Sequence, residues 1–366
     1  MAKQEQAGQI MQDTGIYHPL HIPEWYIYDC FYSSSGELVI ISAAEIVPAP
    51  QVWLIPDLPT DKEHQFRVDI CTAKHTYVYR LSIPNTNKTI NIRIRSDTTT
   101  TTNIANSEQI LTVQPNKYPS YTNQIVMTTM VKNEDNIIGN WIDFHERLGI
   151  HKFVIYDNIG SKESLAGLSL VLADYIQSGI VILISWPYDY RLPISGISGQ
   201  TTQQNHAIRA FDTADWIGLF DVDEYINIQR PDIIFDVNRS DVNNKTGLRR
   251  FLDGIAKRAH VGKSRLGGLQ FANKFFYNPE DLPIDNGQFL RIPNCSQFFS
   301  IREREKCFIL PNNVKIFDIH NIKVGGPLHL VPYKFGYFNH YIYLNKTDRG
   351  RNQTPWRDTT IYRYLD

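Results

Sequence analysis

Between residues 120 and 230, short apolar runs alternate with stretches whose apolar residues recur every three or four positions, and each change of period predicts a change of element. Residues 124–131 predict a strand. Ile137, Ile138, Trp141, Ile142, Phe144 and Leu148 then fall on one face of a helix, with Asn133 or Asp135 available to cap it and Gly149 to stop it. Residues 152–156 predict a second strand, 165–177 a helix, and 179–186 a third strand, apolar nearly throughout as a strand covered on both faces should be. After a loop rich in Pro, Gly and Ser at 187–199, Thr201 or Thr202 is placed to cap a helix through Ala214, which feeds the apolar run Trp216-Ile217-Gly218-Leu219-Phe220. Strands alternating with helices over short connections predict an α/β fold with a crossover-connected sheet.

Before residue 120 the pattern is different. Stretches rich in β-branched and aromatic residues at 25–32, 37–46, 51–55, 65–71, 76–83 and 89–95 are divided by Gly, Pro, Asn and Ser turns, which predicts a small antiparallel β sandwich. The expected division is a disordered stretch at 1–15, a β-rich domain at 16–118 and an α/β domain at 119–366, with the Thr/Asn-rich stretch 97–106 as an exposed loop or linker.

The predicted strand at 216–220 runs into Asp221-Val222-Asp223-Glu224, so two carboxylates one residue apart stand where an apolar strand leaves its sheet. The carboxyl ends of strands face the ligand crevice of open α/β sheets, and hard cations favour carboxylate oxygens shared with phosphates. Asp221 and Asp223 are therefore candidate ligands for Mn2+ or Mg2+ beside a nucleotide diphosphate. An isolated Asp-x-Asp is usually an acidic turn; here other polar groups also collect at strand ends, in Lys132-Asn133-Glu134 and Asp157-Asn158.

The stretch VKNEDNIIGNWIDFHERLGIHKFVIYDNIGS at 131–161, the segment Q-x-x-A-I-R-A at 204–210 and the run WIGLFDVDEYINI at 216–228 resemble glycosyltransferase family 92 and related family 2-like transferases. Glu305-Lys306-Cys307-Phe308-Ile309-Leu310-Pro311, Ile319-His320 and Asn339-His340-Tyr341 are similar to further elements of that group. The resemblance covers roughly 120–345. It implies a GT-A fold (a Rossmann-like nucleotide-sugar-binding domain), a sugar nucleotide donor, a bound divalent metal and a strand-rich segment ahead of the transferase domain.

Carried over residue by residue, it implies that Lys132, Asn133 and Glu134 hold the donor's base and ribose, that Asp157 and Asn158 complete that pocket, and that Asp221 and Asp223 bind the metal and the ribose or diphosphate. It also implies a histidine as a further metal ligand, His340 in preference to His320. Ile159-Gly160-Ser161-Lys162 departs from the pattern, in which a serine is followed two residues later by aspartate. A metal at the strand ends would stabilise charge developing on the departing diphosphate, and a carboxylate would take the acceptor's proton. Glu303 is the candidate base, ahead of Glu305. One acidic base implies direct displacement with inversion.

His145 and His206 lie within predicted helices and are left out of the site, as lone helical histidines that a neighbour satisfies or that stand partly exposed. Trp186, Tyr188 and Tyr190, at a strand end and in the loop after it, are candidate stacking platforms for an acceptor sugar.

Composition narrows the partners. Lys plus Arg at 37 against Asp plus Glu at 38 leaves no basic excess for a nucleic-acid backbone. No apolar run approaches the roughly 20 residues of a membrane-spanning helix, and the start, Met1-Ala2-Lys3-Gln4-Glu5, has no apolar signal region. These features predict a cytoplasmic protein, or a Golgi-lumenal one whose anchor lies outside this sequence. Cys30, Cys71, Cys295 and Cys307 contain no C-x-x-C pair and predict free thiols rather than a zinc site.

The expected activity is metal-dependent transfer of a sugar from a nucleotide diphosphate sugar, UDP-linked by expectation, to a glycan hydroxyl. A sugar nucleotidyltransferase would carry a Gly-rich basic loop after its first strand, unlike V-K-N-E-D. A degenerate, non-catalytic glycan-binding protein would have lost its acidic ligands, and both aspartates are present.

Overall fold

The structure, a computed structural model, describes residues 15–55, 62–70, 75–82, 89–95, 108–113, 118–159, 162–230, 247–259, 262, 264–277, 285–296, 304–341 and 356–365. The fold is α/β. An eight-stranded sheet has the order Ile16–Tyr17, Val181–Ser185, Lys152–Asp157, Ile125–Val131, Trp216–Leu219, Lys306–Ile309, Gly268–Phe271 and Leu328–Leu330. The first five strands pair in parallel, and Lys306–Ile309 runs antiparallel to both of its neighbours. From Ile125–Val131 the chain steps outward to Val181–Ser185, then returns to lay Trp216–Leu219 on the other side. Ligands of open α/β sheets bind outside the strand ends at such a reversal.

A second sheet, ordered Glu224–Ile228, Gly336–Tyr341, Asn273–Phe276, Asn294–Cys295 and Trp356–Arg357, packs beside the first. One apolar core joins the two with the Asp135–Arg147 helix, whose Ile137, Ile138, Trp141, Ile142 and Phe144 are all buried, as their spacing predicts. No side chain caps that helix: Glu134 stands at its N-cap and Asn133 adopts a left-handed φ of 59°, so neither Asn133 nor Asp135 takes the expected capping role. The next helix divides at Leu172 into Lys162–Val171 and Ala173–Gln177.

The N-terminal part contains two four-stranded antiparallel sheets. One holds Ile27–Tyr32, Glu37–Ala43, Thr76–Ser82 and Arg67–Ile70; the other holds His64–Gln65, Gln51–Ile55, Ile90–Arg95 and Glu108–Val113, the last not foreseen from sequence. Leu38, Ile40, Tyr77 and Tyr79 of the first meet Val52, Ile92, Ile94 and Leu111 of the second in a sandwich core. The other face of the first sheet packs Phe31, Val39, Ile41 and Val78 against Val126, Tyr156 and Ile184 of the eight-stranded sheet. Burial on both faces explains why Glu-Leu-Val-Ile-Ile-Ser-Ala at 37–43 is apolar without alternation. Ile16–Tyr17, expected within the β domain, instead extends the eight-stranded sheet by pairing with Leu183 and Ile184. Residues 1–14 and the expected linker at 97–106 lie outside the described residues.

The Ser198–Ala210 helix lies between these two parts and is buried along almost all its length, Gln200 excepted. Thr201 and Thr202 do not cap it. They lie inside it, donating back to the carbonyls of Ile197 (2.8 Å) and Ser198 (2.6 Å). His206 is fully buried and satisfied by its neighbours, its Nδ1 hydrogen-bonded with Tyr156 Oη at 2.7 Å and its Nε2 3.0 Å from Asp29 of the sandwich. Arg209 donates to the carbonyls of Pro311 (2.7 Å) and Val314, while Asn205 and Phe317 bond in both directions. His145 is also fully buried: its Nδ1 bonds to the Trp141 carbonyl at 2.8 Å, and burial pushes its pKa down to about 3.

At the C-terminal end, the Asp358 carboxylate accepts from Lys274 Nζ (2.8 Å), Tyr337 Oη (2.7 Å), the Thr360 amide (2.9 Å) and the Thr360 hydroxyl (2.6 Å). Burial alone would raise its pKa, but these donors outweigh burial and hold it at about 2. A depressed carboxyl stabilises the fold above its unfolded value of about 4, and that stabilisation is lost as pH falls through about 2. Asp358→Asn is therefore expected to cost about 2 kcal/mol at pH 7, with the gap from wild type narrowing between pH 4 and 2. Urea denaturation across that range tests this; a pH-independent gap would count against it.

Candidate active site

Asp221 follows the Trp216–Leu219 strand by two residues, and Glu224 opens the first strand of the second sheet, so Asp221-Val222-Asp223-Glu224 is the passage from one sheet to the other. Antiparallel pairing then sets Glu224 opposite His340. Directly opposed residues have side chains a few ångströms apart. His340 Nε2 lies 3.3 Å from Asp223 Oδ2 and its Nδ1 lies 3.6 Å from Glu224 Oε1. The ligand atoms of Asp223, Glu224 and His340 fall within 4.8 Å of one another, a set able to hold a divalent cation. His340 Nδ1 is buried and makes no hydrogen bond among the described residues.

Lys306, buried at the start of the inverted strand, puts its ammonium 2.6 Å from Asp221 Oδ2 and 3.2 Å from Glu224 Oε2. Gln200 Nε2 donates to Asp221 Oδ1 at 3.2 Å, and the Asp221 amide donates to Glu224 Oε2 at 2.9 Å. The charges settle unequally. Partial burial opposes ionisation of Asp221, yet the Lys306 ammonium beside it holds the carboxyl below its usual range. For Glu224 burial wins over Lys306, and the carboxyl is pushed up to about 8. Burial disfavours the charged form of His340, but Asp223 outweighs it and raises the pKa.

The profile of glycosyltransferase family 92 matches residues 125–364. The chain belongs to glycosyltransferase family 92. It is 30% identical over 230 residues to a family 92 protein of Arabidopsis thaliana, covering 60% of this chain and 35% of that one. A family 92 protein of Oryza sativa is 27% identical over 136 residues (35% of this chain, 21% of the relative), and one of Ricinus communis is 31% identical over 109 residues (29% and 17%). The alignments span about a third or less of the length of these relatives. No solved structure matches.

Against the roles implied by the family 92 resemblance, the structure brings Asp223 and His340 together and adds Glu224, which sequence analysis missed although it directly follows Asp223. Asp221 stands beside this set, bonded to Lys306. His320 is outside the set: it follows a left-handed Ile319 (φ 49°), and its Nδ1 bonds to the Glu305 carbonyl at 2.8 Å. Burial and the Lys306 cation lower its pKa. Glu303 lies outside the described residues; Glu305 is buried.

On the other side of the strand reversal, Val131 pairs with Asp157, so Lys132-Asn133-Glu134 and Asp157-Asn158 leave adjacent strand ends. Lys132 and Asn133 are exposed. Asp157 Oδ1 accepts from the Ile159 amide at 3.1 Å, and the Asn158 amide nitrogen donates to the carbonyls of Trp186 (2.9 Å) and Tyr188 (2.8 Å). Trp186 and Tyr188 are not sugar platforms. Both are buried, with Tyr188 stacked on Tyr28 at 3.8 Å between ring centres and its hydroxyl on the Tyr28 carbonyl at 2.7 Å, because the β sandwich covers this part of the loop. Tyr190 remains exposed.

Removing one partner of a buried ion pair costs about 3–5 kcal/mol when the survivor is trapped as a charge. Here Asp221 has a side chain 44% exposed, and Glu224 titrates at about 8. Lys306→Met is accordingly expected to cost only about 1–2 kcal/mol, read from urea midpoints at pH 7. A loss at the full buried-pair value would mean that neither route of relief is open.

Proposed function

We propose that this chain is a metal-dependent glycosyltransferase of GT-A architecture, moving a sugar from a nucleotide diphosphate sugar, UDP-linked in our assignment, to a glycan hydroxyl with inversion. The observation that carries the proposal is the cluster of Asp223, Glu224 and His340 beside Lys306, at the carboxyl end of a parallel strand where the sheet order reverses. The inverted Lys306–Ile309 strand in an otherwise parallel half-sheet is consistent with that architecture.

The donor set fits a divalent ion: the Asp223 carboxylate and Glu224, whose carboxyl would give up its proton on binding, supply oxygens, and a buried imidazole nitrogen has no other hydrogen-bond partner among the described residues. One nitrogen among oxygens suits Mn2+ better than the harder Mg2+. When bound, the ion would neutralise charge on the departing diphosphate. Asp223, Glu224 and His340 are its proposed ligands. Lys306 holds Asp221 in place and contributes a fixed positive charge on the same side, which needs no reorganisation as the leaving group develops charge. Lys132, Asn133, Glu134 and Asp157 are the proposed base and ribose contacts. Asn158 acts there by ordering the loop, since its amide nitrogen is bonded to two carbonyls. Glu303, three residues before Lys306, is the proposed base. Inversion is assigned because Glu303 is proposed as a single base on the acceptor side and no carboxylate is proposed as a nucleophile on the opposite face of the sugar.

A thermal-shift panel of UDP-, GDP- and TDP-sugars with Mn2+ tests the binding half, because a ligand that binds only the native state raises its melting temperature. UDP-sugars are expected to stabilise the wild type in a Mn2+-dependent manner. Asp223→Ala should lose both that shift and transfer while keeping its circular dichroism. Wild-type turnover in Asp223→Ala would overturn the metal site, and a product retaining the donor's anomeric configuration, read from proton coupling constants, would overturn inversion and the role of Glu303.

A further inference from the structure

The loop between the Val181–Ser185 strand and the Ser198–Ala210 helix combines exposed apolar side chains with an unusually constrained backbone. Tyr190 is 41% exposed and Ile194 61%. Exposed apolar residues on a mobile loop are commonplace, but this loop is tied at both ends and in the middle. Asn158 holds its start through the carbonyls of Trp186 and Tyr188. Leu192 and Gly196 bond in both directions, at 2.9 and 3.0 Å. Gly199 fits directly against Tyr190, where a Cβ would lie 2.9 Å from the Tyr190 Cα.

The central fastening comes from the β sandwich. Glu45, buried and distant in sequence, accepts from the Ile194 amide at 3.0 Å, the Ser195 amide at 2.8 Å and the Ser195 hydroxyl at 2.9 Å. His75 Nδ1 donates to the Ser195 carbonyl at 2.5 Å. A charged acceptor spent on backbone amides makes strong bonds. The segment they fix leads back to the candidate active site: Tyr190 Oη bonds to Gln200 Oε1 at 3.1 Å, and Gln200 Nε2 bonds to Asp221 Oδ1 at 3.2 Å. The Tyr190 hydroxyl is thus two hydrogen bonds from the Asp221 carboxylate. Arg191 stands next to it, its Cζ 5.9 Å from the Tyr190 ring centre.

An aromatic ring offers a face for the C–H groups of a pyranose, and a guanidinium offers a fork of donors for its hydroxyls. We propose that Tyr190 and Arg191 form the subsite for the acceptor sugar, and that Glu45 is a positioning residue through which the β sandwich holds that subsite in its binding conformation. The proposal rests on the transferase function argued above. Pre-ordering places the ordering cost in folding rather than in binding.

The 366-residue wild-type chain, Tyr190→Ala, Arg191→Ala and Glu45→Gln are compared on a printed array of defined neutral and acidic glycans, with and without UDP and Mn2+. UDP affinity is measured separately by calorimetry in Mn2+. Tyr190→Ala is expected to weaken the retained glycan about tenfold, and Glu45→Gln about three- to tenfold, with UDP affinity unchanged within about twofold. With the retained glycan as acceptor, both variants should raise the acceptor KM and leave the donor KM unmoved. A merely structural role for Glu45 would weaken UDP and glycan together and would overturn the positioning assignment. Wild type retaining no glycan, or glycan retention indifferent to Tyr190→Ala and Arg191→Ala, overturns the subsite. Failure of UDP to bind the wild type is a different outcome: it removes the transferase reading, while the array without UDP still decides whether Tyr190 and Arg191 hold a sugar.

Discussion

A helix that is buried along nearly all its length yet carries Gln203, Asn205, His206 and Arg209 depends on its polar side chains finding partners, because a buried polar group without one costs more than a hydrogen bond returns. The Ser198–Ala210 helix meets most of this demand by bonding outward in three directions, although Ser198 Oγ, Gln204 Oε1 and Arg209 Nε are buried without a hydrogen-bond partner among the described residues. His206 reaches the sandwich through Asp29, Gln203 reaches Thr128 of the central strand, and Asn205 and Arg209 reach the 311–317 segment. Its interface is consequently specific, since a slip in register would leave several of these groups unpaired at once. The helix locks the sandwich, the parallel sheet and the 311–317 segment into one arrangement.

The candidate active site inherits its geometry from that lock. Gln200, in the first turn of the same helix, bonds to Asp221, and the 311–317 segment leads to His320, whose ring lies against the Glu305 carbonyl next to Lys306. The site is also where the two larger sheets meet. A chain leaving the parallel sheet at Phe220 needs only four residues to enter the second sheet at Glu224, so three acidic side chains gather where backbone direction changes. Gathering them creates repulsion that Lys306 relieves. Lys306 holds Asp221 ionised, while burial, outweighing Lys306, pushes Glu224 up to about 8, the kind of divergence between neighbouring carboxyls that accompanies a functional site.

The β sandwich is therefore more than an appendage in the physical sense. One of its sheets is buried on both faces, and Glu45, Asp29 and Tyr28 each spend polar atoms on the α/β part. Membership in family 92 rests on residues 125–364, beyond the sandwich. The contacts nonetheless make the sandwich the support for the loop that carries Tyr190.

What the sequence determined by itself depends on local period, although the Glu108–Val113 strand and the break at Leu172 escaped it. The strands at 125–131, 152–157, 181–185 and 216–219 and the buried face of the Asp135–Arg147 helix follow from spacing of apolar residues. The placement of Asp221 and Asp223 at a strand end follows from the same pattern, and the family resemblance named His340. The tertiary structure decided what depends on register between distant segments. Glu224 joins Asp223 and His340 because two strands more than a hundred residues apart pair in one register, and no local signal marks that pairing. Lys306 becomes the counter-charge of Asp221 for the same reason. Burial was legible only from one side: Trp186 and Tyr188 are buried against Tyr28, and His206 against Phe31, and both of these partners belong to the sandwich. Period records that a residue faces some core. Which core it is, and which polar group waits there, is settled by the packing of whole sheets.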